Sequence, residues 1–425
     1  MKAKIVLAAL AAAALALPTS AFAGAPEELA FELEVKAATN GEDFFWQFSW
    51  PAETPSLLHD VSVFRDGEWV RVRDGAIARE DRVAILVDQG TVTGFANLGC
   101  YASCHEGQRS LDSALSGEVL ADHPAYGAIG RNDIRKYIAE SRFGDTWWET
   151  SWDAVKPPEM LDDLRDAGVF LDLWHWHAAR SNAMGYADYQ YVLEHRLDNA
   201  GTGPNTSNVD ADTGLPLRMF DPDKVGFAAL RCEDIPNLTT ADVYNLTTEN
   251  SVPFDPDFEW QEGDVIPRLM IQEPSGSRGA IRADGQWADG RWTVELQRAL
   301  DPGSPRDSIA FDIGRTYTVS FAVYRDGTRN RFHHVSYPLK LGVGTPGPQL
   351  TAVSFVGDRP DWNAIVSTSV PVFFPAQVTM EWMLSPEHVG YLEGREDTAS
   401  CAACHDASLE GVRWLSEGSI FETGE

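Results

Sequence analysis

The chain has 425 residues, with 34 Lys and Arg against 64 Asp and Glu and a formal net charge of −30. That balance argues against nucleic acid and anionic lipid as targets, since both are negative themselves. It suits a basic partner or a salty habitat, and the length is enough for two or three domains.

The N-terminus reads as an export signal. Lys2 and Lys4 give a basic start, Ile5 to Leu17 are apolar without a charge, and Pro18 breaks the run. Ala21 and Ala23 then put small residues at the two positions that a signal peptidase reads. Residues 1–23 are therefore expected to be removed, leaving a periplasmic chain that begins near Gly24. The run is too short to cross a membrane, and no other stretch reaches eighteen apolar residues, so no membrane span is expected.

From Phe31 the sequence alternates. Phe31, Leu33, Val35 and Ala37 interleave with Glu32, Glu34 and Lys36, and Phe44, Trp46, Phe48 and Trp50 repeat the pattern with larger side chains. Successive side chains of a strand point to opposite faces, so each set lines one face of a sheet. Asp66-Gly67 marks a turn between Val61–Phe64 and Trp69–Val72. Val83, Ile85 and Val87 form another buried row, and the loop that follows carries Cys100-Tyr101-Ala102-Ser103-Cys104-His105.

Helical spacing predicts a helix over Arg131–Arg142, with Ile134, Tyr137 and Ile138 on one side. Pro157-Pro158 predicts the start of a second, running through Leu161 and Leu164 and ended by Gly168. Val169 to His177 reads as an aromatic strand with Leu171, Leu173 and His175 on one face and Asp172, Trp174 and Trp176 on the other. Residues 198–224 and 234–264 lack periodicity and read as irregular surface segments. Strands return at Arg268–Ile271, at Trp292–Leu296 after an Asp289-Gly290 turn, at Tyr317–Val323 before Asp326-Gly327, and at His334–Tyr337 with Leu339–Leu341. The expectation is a mainly β fold: an antiparallel β-sandwich over residues 24–342 with a few short helices in its loops. Gly342 to Pro348 is the expected boundary, and residues 343–425 form a C-terminal segment too small to hold much core of its own.

That last segment contains Cys401-Ala402-Ala403-Cys404-His405. Two cysteines followed at once by a histidine are the attachment signature of c-type haem: the thiols bond the porphyrin and the imidazole lies under the iron. The second copy has the usual two-residue spacing, and the first has three residues between its cysteines. Two such motifs behind an export signal point to two covalent haems, attached through Cys100, Cys104, Cys401 and Cys404 and ligated by His105 and His405. A structural zinc, which needs four gathered ligands, or a disulfide inside each motif are the bland alternatives. Cys232 remains over and reads as a buried structural thiol. For the second iron, His388 is the favoured further ligand, with Met383 and Met380 also close in sequence. His175 and His177 read as core residues that could instead meet a propionate or an iron, and His123 as a loop residue.

Four stretches resemble the haem-binding gamma subunit of ethylbenzene dehydrogenase and of related dimethyl-sulfoxide-reductase-type enzymes. They are Glu80–Ile85, Leu173–Trp176 followed by Ala178, Asp289–Leu296 with Arg298 and Leu300, and Phe321–Tyr324 running on to Val335-Ser336-Tyr337. The likeness covers roughly residues 27–342. It implies a β-sandwich that holds one haem between its loops and relays electrons beside a molybdenum subunit and an iron–sulfur subunit. In those subunits the haem is b-type, held by a methionine and a lysine. This chain has Gly99-Cys100 and its motif where the methionine lies, and His333 and His334 where the lysine lies. The resemblance thus implies a bis-histidine variant, with His105 on one side of the iron and His334, or His333, on the other.

The expected protein is a periplasmic dihaem c-type cytochrome that passes electrons between redox partners, itself non-catalytic, and a subunit of or partner to a molybdenum oxidoreductase. Two other classes stay open. A dihaem peroxidase or reductase would need one open iron and a neighbouring acid or base. A β-sandwich ligand-binding module would use its aromatic strands.

Overall fold

The structure, a computed structural model, describes residues 28–421 apart from 74, 76, 110, 112–113, 239–243, 328–332, 375–377 and 396–400. The expected export signal lies outside the described residues. The fold is mainly β, with short helices in the loops, as the alternating patterns predict. Among the described residues no helix is long and apolar enough to cross a membrane.

One large sheet dominates. One arm runs through the strands Arg282–Ala288, Arg291–Ala299, Asp43–Pro51 and Ala30–Thr39. The other runs through Thr316–Tyr324, Arg82–Asp88, Leu171–His177, Asp188–Val192 and Arg196–Asp198. The arms face each other through aromatic contacts: Trp46 against Phe321 at 5.7 Å, Trp50 against Trp176 at 6.1 Å, and Trp292 against Trp176 at 5.0 Å. Each pair adds about 0.5–1.5 kcal/mol beyond simple burial. The inward residues are those of the alternating rows, and Trp46, Trp50, Trp174, Trp176 and Trp292 are fully buried.

The arms are joined by a closed circuit of six strands. Ala30–Thr39 pairs with Leu350–Ser354, then come Leu339–Val343, Thr316–Tyr324, His334–Val335 and Thr368–Phe373, which pairs back onto Ala30–Thr39. Closure removes free edges at this end of the sandwich. It also differs from the expectation in two ways. Leu350–Ser354 runs parallel to both neighbours, so the sheet is not wholly antiparallel. Strands from beyond residue 342 belong to the main sheet, because the Gly/Pro-rich connection leads the chain back into it rather than away.

The three Asp-Gly pairs read as turns, Asp66-Gly67, Asp289-Gly290 and Asp326-Gly327, have both residues at positive φ, from 50° at Asp66 to 81° at Gly67. This is the type I′ geometry that suits the twist of a hairpin. The helix Pro158–Asp166 forms where Pro157-Pro158 predicts it. The helix expected over Arg131–Arg142 does not form: the segment is irregular up to a single turn at Ala139–Ser141. Its backbone is used over longer range, Ile134 O accepting from Arg109 N and Ile138 N donating to Leu193 O. Ile134 and Tyr137 bury instead with Leu120 and Tyr126. The segment at 198–224 likewise holds two short strands, Asn205–Ser207 and Arg218–Phe220, each paired with a distant partner.

Deep in the sandwich, Arg298 and Asp172 form a fully buried ion pair at 3.1 Å. Arg298 also donates to Ile309 O and Tyr189 Oη, and Asp172 accepts from Tyr189 and Ile309 N. Asp172→Ala strands the guanidinium without its counter-charge, and we expect a loss of about 3–5 kcal/mol. A urea titration should show a lower midpoint at unchanged slope, and a midpoint equal to wild type would show that the pair is energetically idle.

Candidate functional site

The first Cys/His motif is pinned to the sheet. Gly99 has φ 56° and ψ −132°, and a Cβ there would meet Ser320 Oγ at 3.0 Å and Pro338 Cδ at 3.2 Å. Only glycine lets the chain pass so close. Cys100 N then donates to Ser320 Oγ at 3.3 Å, and Ser320 Oγ donates to Ser336 O. Cys100, Tyr101, Cys104 and His105 are all buried.

His105 is held from two directions. Its ring stacks on Tyr137 at 3.7 Å with 8° between the planes, and the Arg142 guanidinium caps Tyr137 at 3.9 Å. Nδ1 donates to Glu381 Oε1 at 2.7 Å. Burial pushes the Glu381 carboxyl up, but the bond from His105, that ring's electrostatic pull and the backbone amides of Glu381 and Glu106 together outweigh it and lower the group. Burial pushes His105 down despite that carboxylate, so the ring is neutral. A proton fixed on Nδ1 leaves the lone pair on Nε2, which is buried without a hydrogen-bond partner. This is the arrangement that orients a metal-binding imidazole.

Glu381 belongs to the C-terminal segment, which docks on this motif. Thr379 caps the short helix Met380–Met383, Met380 N donates to Cys104 O at 2.7 Å, and Glu106 N donates to Glu381 Oε2. The Met380 and Met383 side chains bury in the main core. Burial, and then the neighbouring Cys401, Tyr337, Cys100 and Cys104, push the Tyr101 phenol far up. A residue of the first motif thus lies beside a cysteine of the second. Tyr337 continues the junction, with its ring 6.2 Å from that of His405 and nearly parallel to it.

In the second motif, Cys401–Cys404 is helical and His405 N donates back to Cys401 O. Cys404 is exposed and His405 half-buried. His388 faces His405, with ring centroids 6.1 Å apart and planes 17° apart. Its Nδ1 donates to Met383 O at 2.7 Å, which again leaves the lone pair on Nε2. A metal–imidazole bond is about 2 Å, so two rings clasping one ion from opposite sides stand roughly 6 Å apart between centroids. Trp382, Val389, Leu392 and Trp414 of the same segment are large apolar side chains left exposed.

His333 and His334, being consecutive in an extended segment, point to opposite faces. His334 turns inward to Phe31, and its Nε2 donates to Glu28 O at 2.7 Å. Burial holds it down at about 3. His333 stacks on Tyr324 at 4.5 Å and lines a cavity of about 280 Å³ that Cys104 and Gln108 also line. The structure therefore places His333, not His334, in one cavity with the first motif. His175 and His177 are fully buried behind that cavity, with rings 3.9 Å apart. Burial depresses both, and Arg196 and Arg180 push in the same direction. His123 caps a short loop helix, accepting from Ala125 N. Cys232 is half-buried and packs on the core edge.

None of the five cysteines is in a disulfide. Among the described residues, no group of three or more His, Cys, Asp or Glu side chains is gathered closely enough to hold an ion such as structural zinc. Sequence reading raised Arg180-Ser181-Asn182 as either a propionate holder or a surface turn, but it missed Glu381, the stacking role of Tyr137 and the other cavity arginines, none of which carries a local signal.

The family model for ethylbenzene dehydrogenase matches residues 9–336, more than three quarters of the chain. The chain belongs to the ethylbenzene dehydrogenase family. The match includes the first motif and both His333 and His334, and stops before Tyr337, so the whole C-terminal segment is an addition to the part this family model describes. A search of curated proteins finds no match to this chain.

If Glu381 clamps the segment to the first motif, Glu381→Ala should cost roughly 1–2 kcal/mol locally, since a charge-assisted bond is lost at a partly exposed site. Hydrogen-exchange mass spectrometry should show about ten-fold faster exchange in residues 378–395 with the sheet unchanged. Unchanged exchange there would mean the docking rests on other contacts.

Proposed function

We propose that this chain is an exported electron-transfer protein with two covalent haems, one at each Cys/His motif, working as a haem subunit of or partner to a molybdenum oxidoreductase. The observation that carries this reading is the convergence of the two motifs, which lie about 300 residues apart and meet at Tyr101, Cys401, Tyr337 and Glu381. Two redox groups are useful to one another only when adjacent.

Bound haem supplies a one-electron couple whose potential is set by ligands, burial and nearby charge. The chain's own residues fit such groups. Glu381 and the Met383 carbonyl fix His105 and His388 with Nε2 free, and the spacing of His388 and His405 suits one metal held between them. His333 stands on the cavity side of the first motif, and we assign it rather than His334 as the partner of His105. Trp382, Val389, Leu392 and Trp414 offer apolar surface for a flat macrocycle to cover. The peroxidase alternative needs an open iron, and His388 leaves the second site without an evident vacancy.

The first test is a pyridine haemochrome assay with intact mass on protein matured in a host that attaches haem c. Two haems per chain that survive acid–acetone extraction are expected, and no covalent haem would sink the reading. His388→Ala should let the dithionite-reduced protein form a carbon monoxide adduct that the wild type does not form. His333→Ala should alter the low-spin absorbance of the first haem, whereas His334→Ala should leave it unchanged, and the reverse outcome would return the ligand to His334. Because cations stabilise the more negative reduced state, a redox titration should resolve two waves with the first-motif site the higher.

A further inference from the structure

The cavity beside Cys104 has a composition that the electron-relay reading does not use. Eight Arg and one Lys line it against two Asp, in a chain with only 34 cations and a net charge of −30. Asp60 pairs with Arg71, and Asp133 with Arg109 and Arg135. Glu80, fully buried behind the wall, takes Arg180 and Arg82. Among the described residues, three carboxylates thus face nine cations.

The protein holds this charge at a cost. Burial pulls Arg82 down to about 10, with Arg180 adding to the effect, and pulls Arg196 down to about 9, with Arg135 adding. The Nε of Arg196 is buried without a hydrogen-bond partner. Partly dehydrated guanidinium groups crowded together repel one another. Arginine presents paired donors that match a carboxylate or an oxyanion. The volume exceeds that of a single small oxyanion and is open to solvent on the Arg73 side.

We propose that this cavity binds a dianion through its arginines, either a pair of carboxylates or one doubly charged oxyanion. The same chemistry has two sources. One is the pair of propionate carboxylates of a porphyrin tethered at Cys104, which rests on the function proposed above. The other is a free dianion from solution.

The test uses full-length protein matured in the haem-attaching host, and its Cys100→Ser/Cys104→Ser variant, which lacks the first attachment site. Inorganic phosphate and succinate are titrated into each by calorimetry at low ionic strength. Binding to the serine variant but not to the haem-loaded protein identifies the propionates as the occupant. Binding to both identifies a free dianion. In either case Arg196→Gln should weaken binding about ten-fold, and Arg73→Gln, at an exposed position, gives a second reading if Arg196→Gln fails to fold by circular dichroism. Binding of neither probe to either protein overturns the proposal, as does unchanged affinity in the folded arginine variants. If the haemochrome assay finds no haem at all, the function proposed above fails, while the titration still decides this inference on the haem-free chain.

Discussion

The hydrogen bond from His105 to Glu381 joins positions 276 residues apart, and the arrangement of the whole candidate site depends on it. Elsewhere the C-terminal segment is held by the helix Leu409–Phe421, whose Val412 buries with Ala30, Tyr337 and Phe373 and with Cys401 beside them. With the His105–Glu381 bond, and with Met380 N on Cys104 O, the segment becomes a lid on the first motif and carries Cys401 to the side of Tyr101. One carboxylate thereby orients an imidazole and helps to position the second Cys/His motif. The closed six-strand circuit beneath supplies the rigid floor, since Ser320, Ser336 and Pro338, which pin the first motif, lie on or beside its strands.

Charge is distributed against the average. The chain is strongly acidic, yet its concave site beside Cys104 is cationic, and its most buried ion pair, Arg298 with Asp172, stands apart from that site. Arg298 is matched by one carboxylate and further satisfied by backbone carbonyls. The cavity arginines outnumber their carboxylates. That contrast separates a charge kept for packing from one kept for a ligand.

What the sequence made legible follows the range of the interactions. The β class was readable because alternation is local, and the Asp-Gly turns because their geometry is set by two residues. The Cys/His motifs were readable for the same reason, and His388 lies close enough to His405 in sequence to be named beside it. Glu381 was invisible, because nothing near residue 381 announces a partner at 105. The arginines between positions 71 and 196 form no basic run and gather only once distant loops are brought over one face. The choice between His333 and His334 turned on a one-residue register, which only pairing with Thr316–Tyr324 fixes. The helix expected over Arg131–Arg142 failed because its carbonyls and amides had better partners across the fold.

The two motifs differ in exposure, and that difference constrains how a relay through them would run. Cys100, Cys104 and His105 are buried, Cys104 at the wall of the arginine-lined cavity, whereas Cys404 faces solvent and His405 is half-covered. If both carry haem, a protein partner on this side can approach only the second closely. The neighbours of that motif include Glu387, Asp406 and Glu410, all exposed and acidic, so the partner it would steer is basic. Acidic surroundings disfavour an added electron, and the cationic cavity at the first motif favours one. The electrostatic slope then runs inward, from an exposed acceptor site to a buried one. Under the proposed function, the C-terminal segment, which lies outside the family match, would be the point of entry and the sandwich the destination.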